Sequence, residues 1–217
     1  MINDDMNALA RMPGLMGNAA ARTVNTVAWA VVTANPTMVD GVALFAAATG
    51  NRMKTNLTTS GSGAPTRARI GVGRKLMRLQ VGVNTPEAAA SQAILNIEPA
   101  YLIVPAALEG DAEGILFGQF DQTTTYQGYN PYSRGVRTPL MLVVEPLLDD
   151  NSATKWYLFA SPSQADTIEV VFLQGQETPY TRNYMDDKTL SMNWQIWQTF
   201  TALAVDHRGV YRDDGVA

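Results

Sequence analysis

The chain has 217 residues, enough for one large domain or two small ones, and enough to bury a core without disulfide or metal support. Charged residues make up 17% of it and apolar residues 46%, which excludes a disordered polyelectrolyte and leaves neutral surface that can meet other chains. Sixteen basic and twenty acidic residues give a net charge of −4, so a uniformly basic nucleic-acid binder is excluded as well.

There is no cysteine and a single histidine, His207. Disulfides, thiolate nucleophiles, cysteine-ligated zinc and multi-histidine metal sites are thereby removed from consideration within one chain. The first residues, Met1-Ile2-Asn3-Asp4-Asp5, are acidic where a secretory signal is basic. The longest apolar run, near Val27–Val32, is too short for a bilayer. The expectation is a soluble chain with no membrane partner and no cofactor.

In chain order, Asn3 or Asp4 offers an N-cap, with Asp5 in the first turn. Met6, Leu9, Met12, Met16, Ala20, Val24, Val27 and Val31 then follow at the helical period. Pro13-Gly14 predicts a break or kink, leaving a rod of ~30 Å over residues 15–34. Asn35-Pro36 ends it, since the residue before proline is pushed out of helical geometry. Residues 50–65 read as a loop around Ser60-Gly61-Ser62-Gly63. A short helix follows over 66–80, a buried strand at Tyr101–Val104, and a helix over Ala106–Phe117.

Residues 119–139 are polar, aromatic and rich in turn formers, as expected of a functional or mobile loop. Strands are predicted at Leu140–Val144, Trp156–Ala160, Thr167–Leu173 and Tyr180–Tyr184, with a turn at Asp149–Ser152. Met192, Trp194, Ile196, Phe200, Ala202 and Ala204 share one parity, which predicts a single long strand over Thr189–Ala204 with one buried face. No internal repeat is visible. The order, helical first and β last, is an α+β class.

Charge is unevenly placed: residues 1–50 carry −1, residues 51–80 carry +7 with no acid at all, and residues 81–217 carry −10. The +7 block suits phosphate, nucleic acid or the acidic surface of a neighbouring copy, and equally a solvated helix face. No aromatic residue interleaves it, which argues against a single-strand stacking platform. Catalytic patterns are weak. His207 follows Asp206, but sequence neighbours in a strand point to opposite faces, and no Gly-x-Ser-x-Gly elbow exists. Gly71-Val72-Gly73-Arg74-Lys75 lacks the spacing of a phosphate loop. Asp149-Asp150-Asn151 lacks calcium-loop spacing.

A resemblance runs through the chain in consistent order. It is carried by Asn3-Asp4-Asp5-Met6-Asn7-Ala8-Leu9, Arg11-Met12-Pro13, Thr33-Ala34-Asn35-Pro36, and Asp40-Gly41-Val42-Ala43-Leu44-Phe45. It continues at Leu95-Asn96-Ile97, Tyr101–Glu109, Val144-Glu145-Pro146, Trp156-Tyr157-Leu158, Asp166–Val170 and Ala204–Tyr211. These segments resemble the tailed-phage major capsid family, which includes Mu-like head subunits and the capsid half of prohead protease–capsid fusions. The resemblance implies a Hong Kong 97-like fold. A peripheral domain would take residues 1–97 and 166–217, with a spine helix near 15–34 and a returning sheet. An axial domain would take 98–165.

It further implies a structural head subunit that closes into an icosahedral shell around double-stranded DNA, found in the virion and assembled in the host cytoplasm. Its partners would be copies of itself in hexamers and pentamers, the packaged DNA, and scaffold, portal or decoration proteins. The expected contact residues are Tyr126, Tyr129, Tyr132 and Arg134 in the loop, with Arg67, Arg74 and Lys75 in the basic block. Family members carry an N-terminal arm and an extended hairpin loop ahead of the Asn3-Asp4-Asp5 motif. Met1 stands almost on that motif, so the expectation is a fragment or a shell protein whose N-terminal part is missing or separate. His207 stands where the family tends to carry tryptophan, which points to packing. The alternatives are a protein-cargo compartment of the same fold, a hydrolase using His207, and a glycan-binding module using the tyrosine loop.

Overall fold

The structure is a computed structural model. It describes residues 8–48, 54–59, 64–82, 93–118, 120–121, 128–129, 132, 140–189 and 191–215. The predicted Asn3/Asp4 cap, the Ser60–Gly63 loop and most of the 119–139 segment lie outside the described residues.

In chain order the elements are α1 (Ala8–Ala34), β1 (Leu57–Thr58), α2 (Arg67–Arg78), β2 (Pro99–Val104), α3 (Glu109–Phe117), β3 (Phe120–Asp121) and β4 (Gly128–Tyr129). There follow β5 (Met141–Val144), β6 (Trp156–Ala160), β7 (Ile168–Phe172), β8 (Tyr180–Asp186), β9 (Ser191–Trp197), β10 (Phe200–Ala204) and β11 (Val210–Asp213). The chain divides into two compact units, one of Met1–Val31 and Glu169–Leu203, the other of Val32–Ile168 and Ala204–Ala217.

In the smaller unit Pro13 makes no break in the helix, and the expected single strand is two. α1 runs unbroken through Pro13. A proline removes one backbone hydrogen bond and crowds the carbonyl four residues earlier, at a cost of about 3 kcal/mol. In a helix of 27 residues the remaining ladder carries it. The expected single strand over Thr189–Ala204 is two, β9 and β10, separated at Gln198-Thr199. The segment changes partner there: β9 pairs antiparallel with β8, Tyr180 opposite Trp197 through Asp186 opposite Ser191, whereas β10 pairs with β7. The parity survives the break, since even positions from 194 to 204 are half-buried. Met192 departs from it and is exposed.

The larger unit holds a five-stranded sheet in the order β1-β11-β6-β2-β5. β2 pairs parallel with β5 and antiparallel with β6, and β6 pairs antiparallel with β11. β2 and β6 read as nearly continuous apolar runs because both are largely buried, not half-solvated. The core gathers Leu102, Val104, Trp156, Leu158 and Tyr211 with Ile70 and Met77 of α2 and Ala112 and Leu116 of α3. Trp156 and Tyr211 meet edge-on, centroids 5.9 Å apart. Asp149 of the predicted turn accepts from the backbone N–H of Ala106 (2.7 Å) and Ala107 (3.2 Å), which fixes the entry to α3. α1 ends at Ala34 as expected. Asn35 takes the left-handed conformation (φ 50). Its amide accepts from the Phe45 N–H at 2.6 Å and donates to the Phe45 carbonyl at 3.2 Å.

Gly73 decides how closely α2 approaches the sheet. A Cβ there would lie 2.7 Å from Leu158 Cδ1 and 2.8 Å from the Tyr211 ring. Gly73→Ala gains up to about 1 kcal/mol of helix propensity, but overpacking typically costs ~1–3 kcal/mol. The expected result is a lower thermal midpoint for Gly73→Ala and a lower one still for Gly73→Val. Gly71→Ala, whose Cβ would meet only Tyr132 Oη at 3.4 Å, should leave the midpoint unchanged or raised.

The core tyrosines set the alkaline limit. Burial pushes the Tyr157 hydroxyl up to about 12, against the opposing charge of Arg212. Burial raises Tyr211 as well, opposed by a hydrogen bond with Thr58 and reinforced by the charge of Asp213. A hydroxyl that holds its proton more tightly when folded stabilises fully below its unfolded pKa of ~10. That contribution is lost as pH rises through the folded value. Of eight tyrosines, Tyr157 and Tyr211 are expected to ionise last, together with unfolding, in a phenolate absorbance titration followed alongside circular dichroism. Their ionisation near pH 10 in a folded chain would contradict this packing.

Candidate assembly surface

α2 carries most of the basic block. Thr66 caps it, its Oγ1 accepting from Arg69 N at 3.3 Å. Ile70, Gly73 and Met77 form the buried stripe at helical spacing. The other face displays Arg67, Gly71, Arg74, Lys75 and Arg78, spaced to lie together.

Not every cation of the block faces outward. Arg69 turns into the unit: its Nε donates to Asp213 Oδ2 at 3.0 Å and its Nη2 to Asp213 Oδ1. Asp213 is 1% exposed and also accepts from Tyr211 Oη (3.2 Å) and the Gly215 N–H (3.0 Å). Arg78 is held at the rim by Asn96 Oδ1 (2.8 Å) and the Glu98 carboxylate. Arg74 lies over the Tyr132 ring, 5.5 Å from its centre. Lys75 is exposed and forms no ion pair among the described residues. Gly71, Arg74, Lys75, Arg78, Leu79 and Tyr132 line an open groove of about 430 Å³.

The expected contact residues therefore separate. Arg67 and Lys75 are exposed, and Arg74 is half-buried against an aromatic ring. Tyr132 belongs to the core at 9% exposure and also lines the groove. Tyr129 has its backbone in β4. Tyr126 and Arg134 lie outside the described residues.

His207 sits beside Asp206, Nδ1 to Oδ1 3.8 Å, but Asp206 is engaged elsewhere. Its carboxylate accepts from Arg208 Nε at 2.9 Å on both oxygens and from the Arg208 N–H at 2.9 Å. Burial raises the Asp206 pKa, and these Arg208 interactions outweigh it, so the group ends below the usual carboxylate range. The orienting role of a triad carboxylate is thus taken up by an arginine. The His207 carbonyl accepts from Asn56 Nδ2 at 3.0 Å. Among the described residues no group of three or more His, Asp or Glu is placed to hold a metal, and no helix is long and apolar enough to cross a membrane.

Two residues that sequence reasoning passed over organise this region. Asn56, 1% exposed, accepts from Ala46 N–H (2.9 Å) and donates to the carbonyls of Leu44 (2.8 Å) and His207. Asp213 is the other. Neither stands in a pattern: a single Asn in a polar loop and an Asp beside Asp214 both read as turn residues.

The phage capsid protein family matches residues 1–212. The chain belongs to that family. The fold of this capsid-family chain is Hong Kong 97-like, as expected. It is similar to a phage-related protein from Bordetella bronchiseptica RB50, with a TM-score of 0.52 at 10% identity, covering 98% of this chain and 66% of that one. It is also similar to the holo-SrpI encapsulin complex from Synechococcus elongatus PCC 7942, with a TM-score of 0.52 at 13% identity, covering 100% of this chain and 68% of that one. The chain thus spans about two thirds of the length of these structural relatives. No curated protein matches it.

Proposed function

We propose that this chain is a structural head subunit of a tailed phage or prophage, which tiles with copies of itself into an icosahedral shell around double-stranded DNA. The observation that carries this reading is the family match over nearly the whole chain; the likeness in fold to two larger proteins supports it. On this reading the subunit performs no reaction. Its chemistry is contact formation, and its place is the virion. Scaffold, portal and decoration proteins are its further partners. We assign residues 98–165 to the axial part that meets other copies at a capsomer centre, and α1 to the spine.

The similarity to an encapsulin favours a second reading, a shell of the same fold around protein. Particles from the complete gene product separate the two: the first reading predicts nucleic acid protected from nuclease inside them, the second an encapsulated protein. A hydrolase using His207 predicts that His207→Phe abolishes turnover. On the shell reading His207→Phe assembles as the wild type does, because phenylalanine keeps the backbone carbonyl that Asn56 holds.

A further inference from the structure

We propose that the basic face of α2 docks on the acidic face of α3 of a second copy, as a head-to-tail contact between subunits. This rests on the shell reading and names the surface through which copies meet. α3 begins with Glu109 and Asp111 and continues with Glu113. All three are exposed, and none forms an ion pair among the described residues. The buried side of the same helix is Ala112 and Leu116. Glu109 and Glu113 stand one turn apart, about 6 Å along the axis.

The two faces have complementary charge and lie apart in one unit. α2 packs on β11 and α3 on β5. In the sheet order these strands are three positions apart, about 14 Å. A subunit with cations near one end of its sheet and carboxylates near the other is built for a heterologous contact, the kind that closes rings. The groove fits a carboxylate-bearing helix face. Lys75 and Arg74 flank it, Gly71 and Tyr132 complete its lining, and Leu79 adds apolar area. Phosphate is the weaker occupant. Arg69 and Arg78 of the block already hold Asp213 and Glu98, and the remainder of every copy supplies excess carboxylate.

The test uses the complete gene product. Light and ¹⁵N-labelled protein are mixed during assembly and treated with a zero-length carbodiimide, which joins lysine to a carboxylate only on contact. Mixed-isotope peptides linking Lys75 to Glu109 or Glu113, which share one face of α3, are the expected result. The variants R74E/K75E and E109K/E113K should each lose at least tenfold in sedimenting assembly, and the chain carrying all four changes should regain it. K75E alone, at an exposed position, should fold by circular dichroism, assemble less than the wild type at low salt, and close that gap as salt screens the new repulsion. Wild-type assemblies without these links, or charge-reversed variants that assemble normally, overturn the contact and leave the shell reading standing. R74E/K75E that assembles normally but loses its nucleic acid assigns the groove to phosphate and overturns the contact too. Wild-type protein that forms no oligomer at any salt overturns the shell reading itself.

Discussion

Asp213→Ala is expected to destabilise the larger unit by about 3–5 kcal/mol, the cost of stranding one partner of a buried ion pair. The carboxylate is 1% exposed and receives Arg69, the Tyr211 hydroxyl and the Gly215 N–H. Alanine would leave a guanidinium whose side chain is only 15% exposed without its counter-charge, and would take from the buried Tyr211 O–H its Asp213 acceptor. The damage comes from the stranded partner, so Arg69→Met combined with Asp213→Ala should recover a large part of it. Urea unfolding followed by tryptophan fluorescence reads this as a shift in midpoint at unchanged slope. A single-variant loss below about 1 kcal/mol, the usual size for an exposed pair, would show that the pair does not tie α2 to β11.

Asn56→Ala is expected to cost about 3 kcal/mol, since it strands the Ala46 N–H and the carbonyls of Leu44 and His207, at ~1–3 kcal/mol for each buried group less what water recovers. These groups come from loop segments far apart in sequence, so the loss should appear as local opening as well. Amide exchange at Ala46 is expected to accelerate before global unfolding does. Asn56→Asp is the sharper variant. It keeps the acceptor for Ala46 N–H but turns an acceptor toward two carbonyls, and should cost at least as much as alanine. An aspartate variant as stable as the wild type would contradict this network.

How much of this was legible in the sequence follows from how local each signal is. α2 lies within the short helix expected over 66–80, and its determinants are close in sequence: Thr66 caps it, and Ile70, Gly73 and Met77 recur at helical spacing. β6 lies where its apolar run Trp156–Ala160 placed it. The continuity of α1 through Pro13 was not readable, because a proline's local cost says nothing of the length of helix that absorbs it. The break at Gln198-Thr199 leaves the alternation of side chains intact, and parity was the only signal available. It is set by a change of strand partner from β8 to β7, which is long-range information.

The assembly surface divides the same way. That residues 51–80 are basic is visible in composition. Which of their cations face outward depends on Asp213 and Glu98, 144 and 20 residues from their partners. That Tyr132 packs in the core beneath Arg74 was not visible in its polar, turn-rich surroundings.

Cryo-electron microscopy of particles from the complete gene product tests the central claim most directly. The account predicts closed shells into whose density this fold fits as the repeating subunit, with α2 of each copy facing a neighbour. A homogeneous population of single chains under every shell-forming condition of salt, pH and concentration would contradict it.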